Sequence, residues 1–175
     1  MKELLRNLAD QGLLSAEAVQ RICAMHRDGE LLDDALLEHA GAGEGQARLL
    51  RALAAEFDMP FVDLKDHRPQ PELLARFPAR ILLEYRLLPL ESQNGSMLVA
   101  TSRAFDSTGL DELRLATGTP CRPALAAPED LERCIKQALG VGADTVQTLV
   151  ADARNGGIEV IANGEALLAA RRPQS

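Results

Sequence analysis

The spacing of apolar residues changes at Pro60, and this change limits the folds open to the chain. Before Pro60, apolar residues recur at helical spacing, as in the run through Leu49, Leu53 and Phe57. After Pro60, short apolar runs alternate with Pro and Gly, a pattern typical of strands, turns and short helices. Helices followed by mixed elements predict an α+β fold, with a helical subdomain at 1–58 and a mixed α/β subdomain at 59–140.

The helical subdomain is predicted to hold a bundle of about four helices. Gly12 is expected to end the first helix in a left-handed conformation, which glycine adopts without steric cost. Ser15 is a predicted N-cap of the second helix, because its hydroxyl can accept a bond from a free N–H of the first turn. The third helix is expected to end near Gly41, and the fourth contains the run that precedes Pro60.

The mixed subdomain is predicted to contain a small sheet of three to four strands between helices. Asn94-Gly95 is the strongest hairpin signal, because a type I′ turn needs positive φ at both of its central residues. Pro89 lacks an N–H group, so the strand that carries it is expected at an edge of the sheet. The other predicted strands are 61–64 and 120–126, and the predicted helices are 72–77, 79–85, 107–117 and one that begins at Pro128.

Residues 141–175 are predicted to form a linker, a helix and a short hairpin. The linker leads to Asp144, a predicted N-cap, and amphipathic spacing indicates a helix over 144–153. A second Asn-Gly pair, Asn163-Gly164, predicts the hairpin.

The charge and composition exclude several classes of function. The 26 acidic residues outnumber the 19 basic ones, for a net charge of -7, which opposes binding to nucleic-acid phosphates. Aromatic residues make up only 3% of the chain, too few for base-stacking platforms. No apolar run approaches the roughly 20 residues of a membrane-spanning helix, and the first residues do not resemble a signal peptide. We therefore expect a cytoplasmic protein without a transmembrane segment.

No sequence motif predicts catalysis or metal binding. The phosphate-binding loop, the dinucleotide-binding glycines and the nucleophile elbow are all missing. The three cysteines are far apart and are expected as reduced thiols packed like small hydrophobic residues. Acidic pairs such as Asp33-Asp34 are predicted on exposed helix faces, and His26 is expected to be half-buried at a helix C-terminus. We therefore predict no enzyme, no catalytic residue, no metal site and no cofactor.

Several segments, in order, resemble one known family. Residues 49–64, LLRALAAEFDMPFVDL, are similar to the place where a helix runs into a short strand in the N-terminal domain of type II secretion and type IV pilus assembly ATPases. The same family pattern is matched at 71–78, 88–90, 97–101, 110–114 and 116–118. The resemblance covers about residues 1–140. It implies a domain that docks an ATPase onto the cytoplasmic part of an inner-membrane component of the machine.

The resemblance also implies where a ligand would bind. In some members, two tandem motifs in the helical part bind cyclic di-GMP, each beginning with Arg-Leu-Gly and ending in Gln. The first copy here keeps Leu8, Gly12 and Leu13, but has Glu3 in place of Arg and His26 in place of Gln. The retained leucines can equally be core residues.

The second copy has changed in the same way. It keeps Leu37, Gly41, Leu49 and Leu53. Leu32 replaces Arg, Asp33-Asp34 replaces Leu-Gly, and Glu56 replaces Gln. An acidic group facing a dianionic ligand lowers its affinity. We therefore expect these positions not to bind cyclic di-GMP tightly.

Three hypotheses follow for the function. The first is a docking module for a protein component of a secretion or pilus machine, peripheral to the inner membrane through that partner. The second is a cyclic di-GMP sensor with altered contacts through Arg27, Arg48 or Arg51. The third is an enzyme of unrecognised type, which would need a pocket with converging polar groups. Residues 157–160 lack the Asp and His that the family has there, so both an ATPase fragment and a stand-alone relative are open.

Overall fold

A computed structural model describes residues 1–27 and 31–140. Within them, eight helices and one three-stranded sheet confirm the predicted fold class. The predicted linker, helix and hairpin of residues 141–175 lie outside the described residues. None of the described helices is long and apolar enough to cross a membrane.

Four helices form the N-terminal part, as the apolar periodicity predicts. They are α1 (Lys2–Asp10), α2 (Ala16–Arg27), α3 (Leu32–Ala40) and α4 (Glu44–Glu56). The Ser15 hydroxyl accepts a hydrogen bond from the Ala18 N–H at 3.0 Å, so the predicted N-cap is confirmed. Gly12 has a φ of 73°, the left-handed conformation expected after α1.

The mixed part surrounds a small sheet with helices. Its elements are α5 (Pro71–Leu74), α6 (Ala79–Glu84), β1 (Leu88–Gln93), β2 (Ser96–Thr101), α7 (Thr108–Thr117), β3 (Cys121–Leu125) and α8 (Pro128–Leu139). The strand order is β1-β2-β3; β1 pairs with β2 antiparallel, and β2 pairs with β3 parallel. Because parallel neighbours need a crossover connection, α7 lies between β2 and β3 in the chain.

The β1–β2 hairpin confirms the strongest turn prediction. Asn94 has a φ of 52° and Gly95 a φ of 79°, so both central residues have the positive φ of a type I′ turn. Pro89 lies in β1, which among the described strands pairs with β2 alone. The missing N–H of Pro89 is therefore tolerated at an edge, and the register shifts between Pro89 and Glu91.

The predicted strand at 61–64 is wrong, because only one isolated bridge forms there. Phe61 pairs with Leu125, and the Val62 N–H donates to the Leu125 carbonyl at 2.8 Å. Two residues further on, the Asp63 carboxylate accepts a hydrogen bond from the Lys65 N–H at 3.0 Å. This Asx-type turn directs the chain away from the sheet before a ladder can extend.

Two separate clusters of buried residues form the core of the described chain. One lies within the sheet and helices α5 to α8, and the other lies within α1 to α4. Leu125, at the end of β3, belongs to the helical cluster, against which Met59, Phe61 and Ala104 also pack. Residues of the mixed part thus complete the apolar core of the helical part. The division at residues 58 and 59 stays a prediction.

Candidate functional site

The apolar positions of the first motif copy lie in or against the helical core. Leu8 is buried, and Leu13 packs against the same cluster. Gly12 is exposed and turns the chain between α1 and α2. Glu3 and His26 are both exposed, so the half-buried position expected for His26 is wrong. The leucines of this copy therefore have a packing role whether or not a ligand binds.

In the second motif copy, too, the apolar positions lie in or against the helical core. The apolar positions Leu32, Leu49 and Leu53 are buried, and Leu37 packs against them. Gly41 follows α3 with a φ of 79°, and Glu56 is exposed at the end of α4. Three of the motif positions, His26, Leu32 and Asp33, line one cavity of about 380 Å³. None of them supplies the paired donors with which arginine binds guanine or phosphate.

The arginines considered for altered ligand contacts differ in their surroundings. Arg51 pairs with Glu44, with nitrogen and oxygen 3.2 Å apart, and its guanidinium lies 4.8 Å from the centre of the Phe61 ring. Arg48 is exposed on α4. The side chain of Arg27 lies outside the described residues. Of the two arginines whose side chains are described, Arg48 is therefore the one that can meet a ligand without first giving up such contacts.

An open groove of about 620 Å³ runs between α1 and α2. Its floor is mainly small and apolar, and its polar lining comes from Lys2, Arg6 and Gln20. These side chains can bind an anion or an acidic side chain, and the partly buried Cys23 lines the same groove. The hypothesis of an unrecognised enzyme is not tested by this groove.

Asp33 contradicts the prediction that the acidic pairs lie on exposed helix faces. Its side chain is only 3% exposed, in the first turn of α3. One carboxylate oxygen accepts hydrogen bonds from the N–H groups of Ala104 at 2.7 Å and Phe105 at 3.3 Å. The other accepts from Phe105 at 3.2 Å and Asp106 at 3.0 Å. Asp33 therefore fastens the helical part to the loop between β2 and α7, the 102–107 loop.

Burial and hydrogen bonding act on Asp33 in opposite directions. Burial raises the pKa of its carboxyl above the ordinary value, while the three backbone N–H groups and the charge of Arg103 lower it. The carboxylate form matches the geometry, because both oxygens face donors only. A neutral carboxyl would turn its own O–H toward one of those donors.

Arg103 adds a second, more exposed connection across the same junction. Its guanidinium lies 3.0 Å from an Asp34 oxygen on α3 and 3.3 Å from an Asp106 oxygen in its own loop. The Thr108 hydroxyl, which donates to Asp106 at 2.6 Å, is the main reason that the pKa of Asp106 lies below its ordinary value.

Two other acidic pairs were also predicted on exposed helix faces. Asp111-Glu112 is partly buried, and Glu112 accepts a 2.7 Å hydrogen bond from the Tyr85 hydroxyl. In Glu129-Asp130, Glu129 is exposed as predicted and Asp130 is partly buried.

The three cysteines lie at different depths in the described structure. Cys134 is buried, Cys23 and Cys121 are partly buried, and none of the three forms a disulfide within the described residues. Burial raises the pKa of the Cys121 and Cys134 thiols, which keeps these two protonated and unreactive at neutral pH. Among the residues that the structure describes, no group of three or more His, Cys, Asp or Glu side chains could hold a metal ion.

The fold is that of the N-terminal domains of secretion and pilus ATPases. A solved structure of MshE with cdg matches with a TM-score of 0.60 at 19% identity, over 77% of this chain and 97% of that one. The N-terminal domain of XpsE matches with a TM-score of 0.57 at 22% identity, over 77% of this chain and 92% of that one.

The chain belongs to the MshEN domain family, whose model matches residues 57–144. The type IV pilus assembly ATPase PilB of Thermus thermophilus is 30% identical over 125 residues, which are 70% of this chain and 14% of the ATPase. PilB of Myxococcus xanthus is 20% identical over 146 residues, 83% of this chain and 25% of the ATPase. The chain thus spans a quarter or less of the length of these two relatives.

The family match confirms the resemblance but does not extend to the motif positions. It begins at residue 57, one residue after Glu56, the last of those positions. The assignment of the two degenerate motif copies to residues 3–56 therefore stays a prediction.

Proposed function

We propose that this chain is a non-catalytic docking and regulatory module that binds a protein component of a secretion or pilus machine at the cytoplasmic side of the inner membrane. The observation that carries the proposal is the chemistry at the four positions where the family motif has Arg or Gln. Those positions hold Glu3, His26, Leu32 and Glu56. Leu32 is buried in the core, and the two glutamates are exposed carboxylates. A dianionic dinucleotide meets repulsion where the motif would supply donors.

Membership of the MshEN family supports the link to these machines. The family model and the XpsE structure that match this chain are N-terminal domains, not catalytic ATPase domains, which supports a module without catalysis of its own. In this proposal the module remains in the cytoplasm and reaches the membrane only through its partner.

A cyclic di-GMP sensor with altered contacts is the second candidate. It is favoured by the shared fold with MshE, whose solved structure contains cdg (cyclic di-GMP). Exposed Arg48 is the described cation that this candidate would use first. The altered sensor predicts that Arg48→Ala weakens binding, whereas the docking module predicts no binding to weaken.

Calorimetry separates the two candidates. We expect no heat of binding at about 100 μM cyclic di-GMP, with the MshE domain as the positive control. Micromolar or tighter binding at one ligand per chain would overturn the docking proposal in favour of the sensor.

The docking role needs its own measurement. Cytoplasmic segments of the inner-membrane components encoded with the machine are immobilised and tested against the full chain in nucleotide-free buffer. We expect one segment to bind with micromolar or tighter affinity, the range of specific but transient complexes. Absence of binding to every segment would refute the proposal.

A further inference from the structure

Four exposed apolar side chains surround the junction between the helices and the 102–107 loop. They are Met1, Leu31, Phe57 and Phe105, exposed by 54%, 49%, 43% and 37%. We call these four residues the apolar face. Met1, Leu31 and Phe105 line the 380 Å³ cavity that also contains His26. Phe57 meets Phe105 edge to face, with ring centres 5.4 Å apart, so the four residues are connected.

Hydrogen bonds fix the backbone at the two aromatic residues of this face. The N–H of Phe105 donates to both carboxylate oxygens of Asp33. The N–H of Phe57 donates to the Leu53 carbonyl at 3.0 Å, at the end of α4. The two rings also contact each other. Groups that are ordered before binding lose little conformational entropy on association.

Acidic side chains lie beside these apolar residues. Glu56 and Asp58, on either side of Phe57 in the chain, are both exposed. Asp34 and Asp106 lie at the other end, where they share the single guanidinium of Arg103. The exposed fraction of the Asp34 side chain, 57%, leaves it open to a partner. An apolar surface with carboxylates beside it is complementary to apolar residues flanked by cations.

We infer that the apolar face docks an amphipathic segment of a partner protein, with Lys or Arg residues flanking its apolar positions. This inference rests on the proposed docking function and adds the surface and the chemistry of the partner. Aromatic side chains, Phe among them, are enriched at protein–protein interfaces relative to the rest of the surface. The carboxylates favour a basic partner, because they repel both an anionic membrane surface and the same face of a second copy.

Two synthetic peptides test the inference directly. One is an amphipathic helix of Leu and Lys, about 18 residues long, and the other has Glu at every Lys position. Binding to the full chain is measured by fluorescence anisotropy at low and at physiological salt. We expect the Lys peptide to bind at least about tenfold more tightly than the Glu peptide, and this difference to shrink as salt is added.

Three variants localise the binding, and far-UV circular dichroism checks that each one folds. Phe57→Ser with Phe105→Ser should weaken binding of the Lys peptide about tenfold or more. Leu115→Ser is the matched control, because Leu115 is 81% exposed but lies on α7, outside the apolar face. It should bind as the wild type does. Glu56→Gln with Asp58→Asn keeps both rings and should reduce the salt dependence.

The outcomes separate this inference from the proposed function. Equal binding of the two peptides, or wild-type binding by the double Phe variant, would overturn the apolar face as a site for basic segments. So would adsorption to anionic vesicles, or a dimer that dissociates when the rings are removed. If an inner-membrane segment binds the double Phe variant unchanged, docking stands and this face is wrong. If no segment binds the wild type, docking itself fails.

Discussion

Replacing Asp33 by Asn tests whether one buried carboxylate fastens the helices to the 102–107 loop. The two oxygens of Asp33 accept from three backbone N–H groups at 2.7 to 3.3 Å. An asparagine offers one oxygen and one NH₂ group. Because every partner is a donor, the NH₂ group must face an N–H, and at least one buried donor loses its acceptor.

The expected cost follows from these contacts. A buried donor without an acceptor costs about 1–3 kcal/mol, and the remaining bonds lose their charge assistance. Relief from burying a charge, the same effect that raises the pKa of Asp33, offsets part of this loss. We expect a net loss of about 2 kcal/mol in the free energy of unfolding, which is about thirtyfold in the unfolding equilibrium constant.

Urea denaturation followed by far-UV circular dichroism measures this loss. Asp34→Asn is the matched control: it removes the exposed ion pair with Arg103 and should cost less than about 1 kcal/mol. Amide hydrogen exchange at residues 104–106 should accelerate in Asp33→Asn and not in Asp34→Asn. If the free energies of unfolding of the two variants differ by less than about 0.5 kcal/mol, Asp33 does not hold the helices to the 102–107 loop.

Three further predictions concern the packing at Gly109, the motif position Leu32 and the loss of stability at acidic pH. Gly109→Ala should lower the free energy of unfolding in urea by about 1–3 kcal/mol, because the added Cβ would clash with the Cβ of Tyr85. Helix propensity alone predicts a gain in stability, so a more stable variant would contradict this packing. Leu32→Arg puts arginine back at a predicted motif position that is only 6% exposed, so it should lower the thermal midpoint of unfolding sharply and confer no cyclic di-GMP binding. A stable variant that binds cyclic di-GMP tightly would contradict this. Thr108 lowers the pKa of Asp106 below 3.8, so this carboxylate adds stability above that pH and loses it as pH falls. Stability should therefore decline less steeply below about pH 4 in Asp106→Asn, and an unchanged slope in acid titrations would contradict that role.

Local patterns were sufficient to predict most secondary-structure elements. The Asn94-Gly95 turn, the Ser15 cap and the helix that begins at Pro128 depend on conformations fixed by single residues or by a cap bond three residues away. Each of these was predicted and found. The failed strand at 61–64 shows the limit, because a strand exists only where a partner extends alongside it, and here pairing stops at one bridge.

Residue identity alone predicted altered motif copies, with Glu3, Leu32 and Glu56 at the positions assigned to Arg or Gln, and this assignment stays a prediction. Only the tertiary structure decided that Leu32 is core and that Phe57 and Phe105 meet across the junction.

The buried position of Asp33 was likewise decided by the tertiary structure. Asp33 and Asp34 are adjacent acids in the first turn of one helix, where a carboxylate is already favoured by the helix dipole in solvent, so the residue type gives no reason to bury either one. The partners of Asp33 are backbone N–H groups about 70 residues away in the chain. Every residue except proline carries such a group, so no side-chain pattern marks the 102–107 loop as its destination. Only the packing of the helices against the loop brings these donors to the carboxylate.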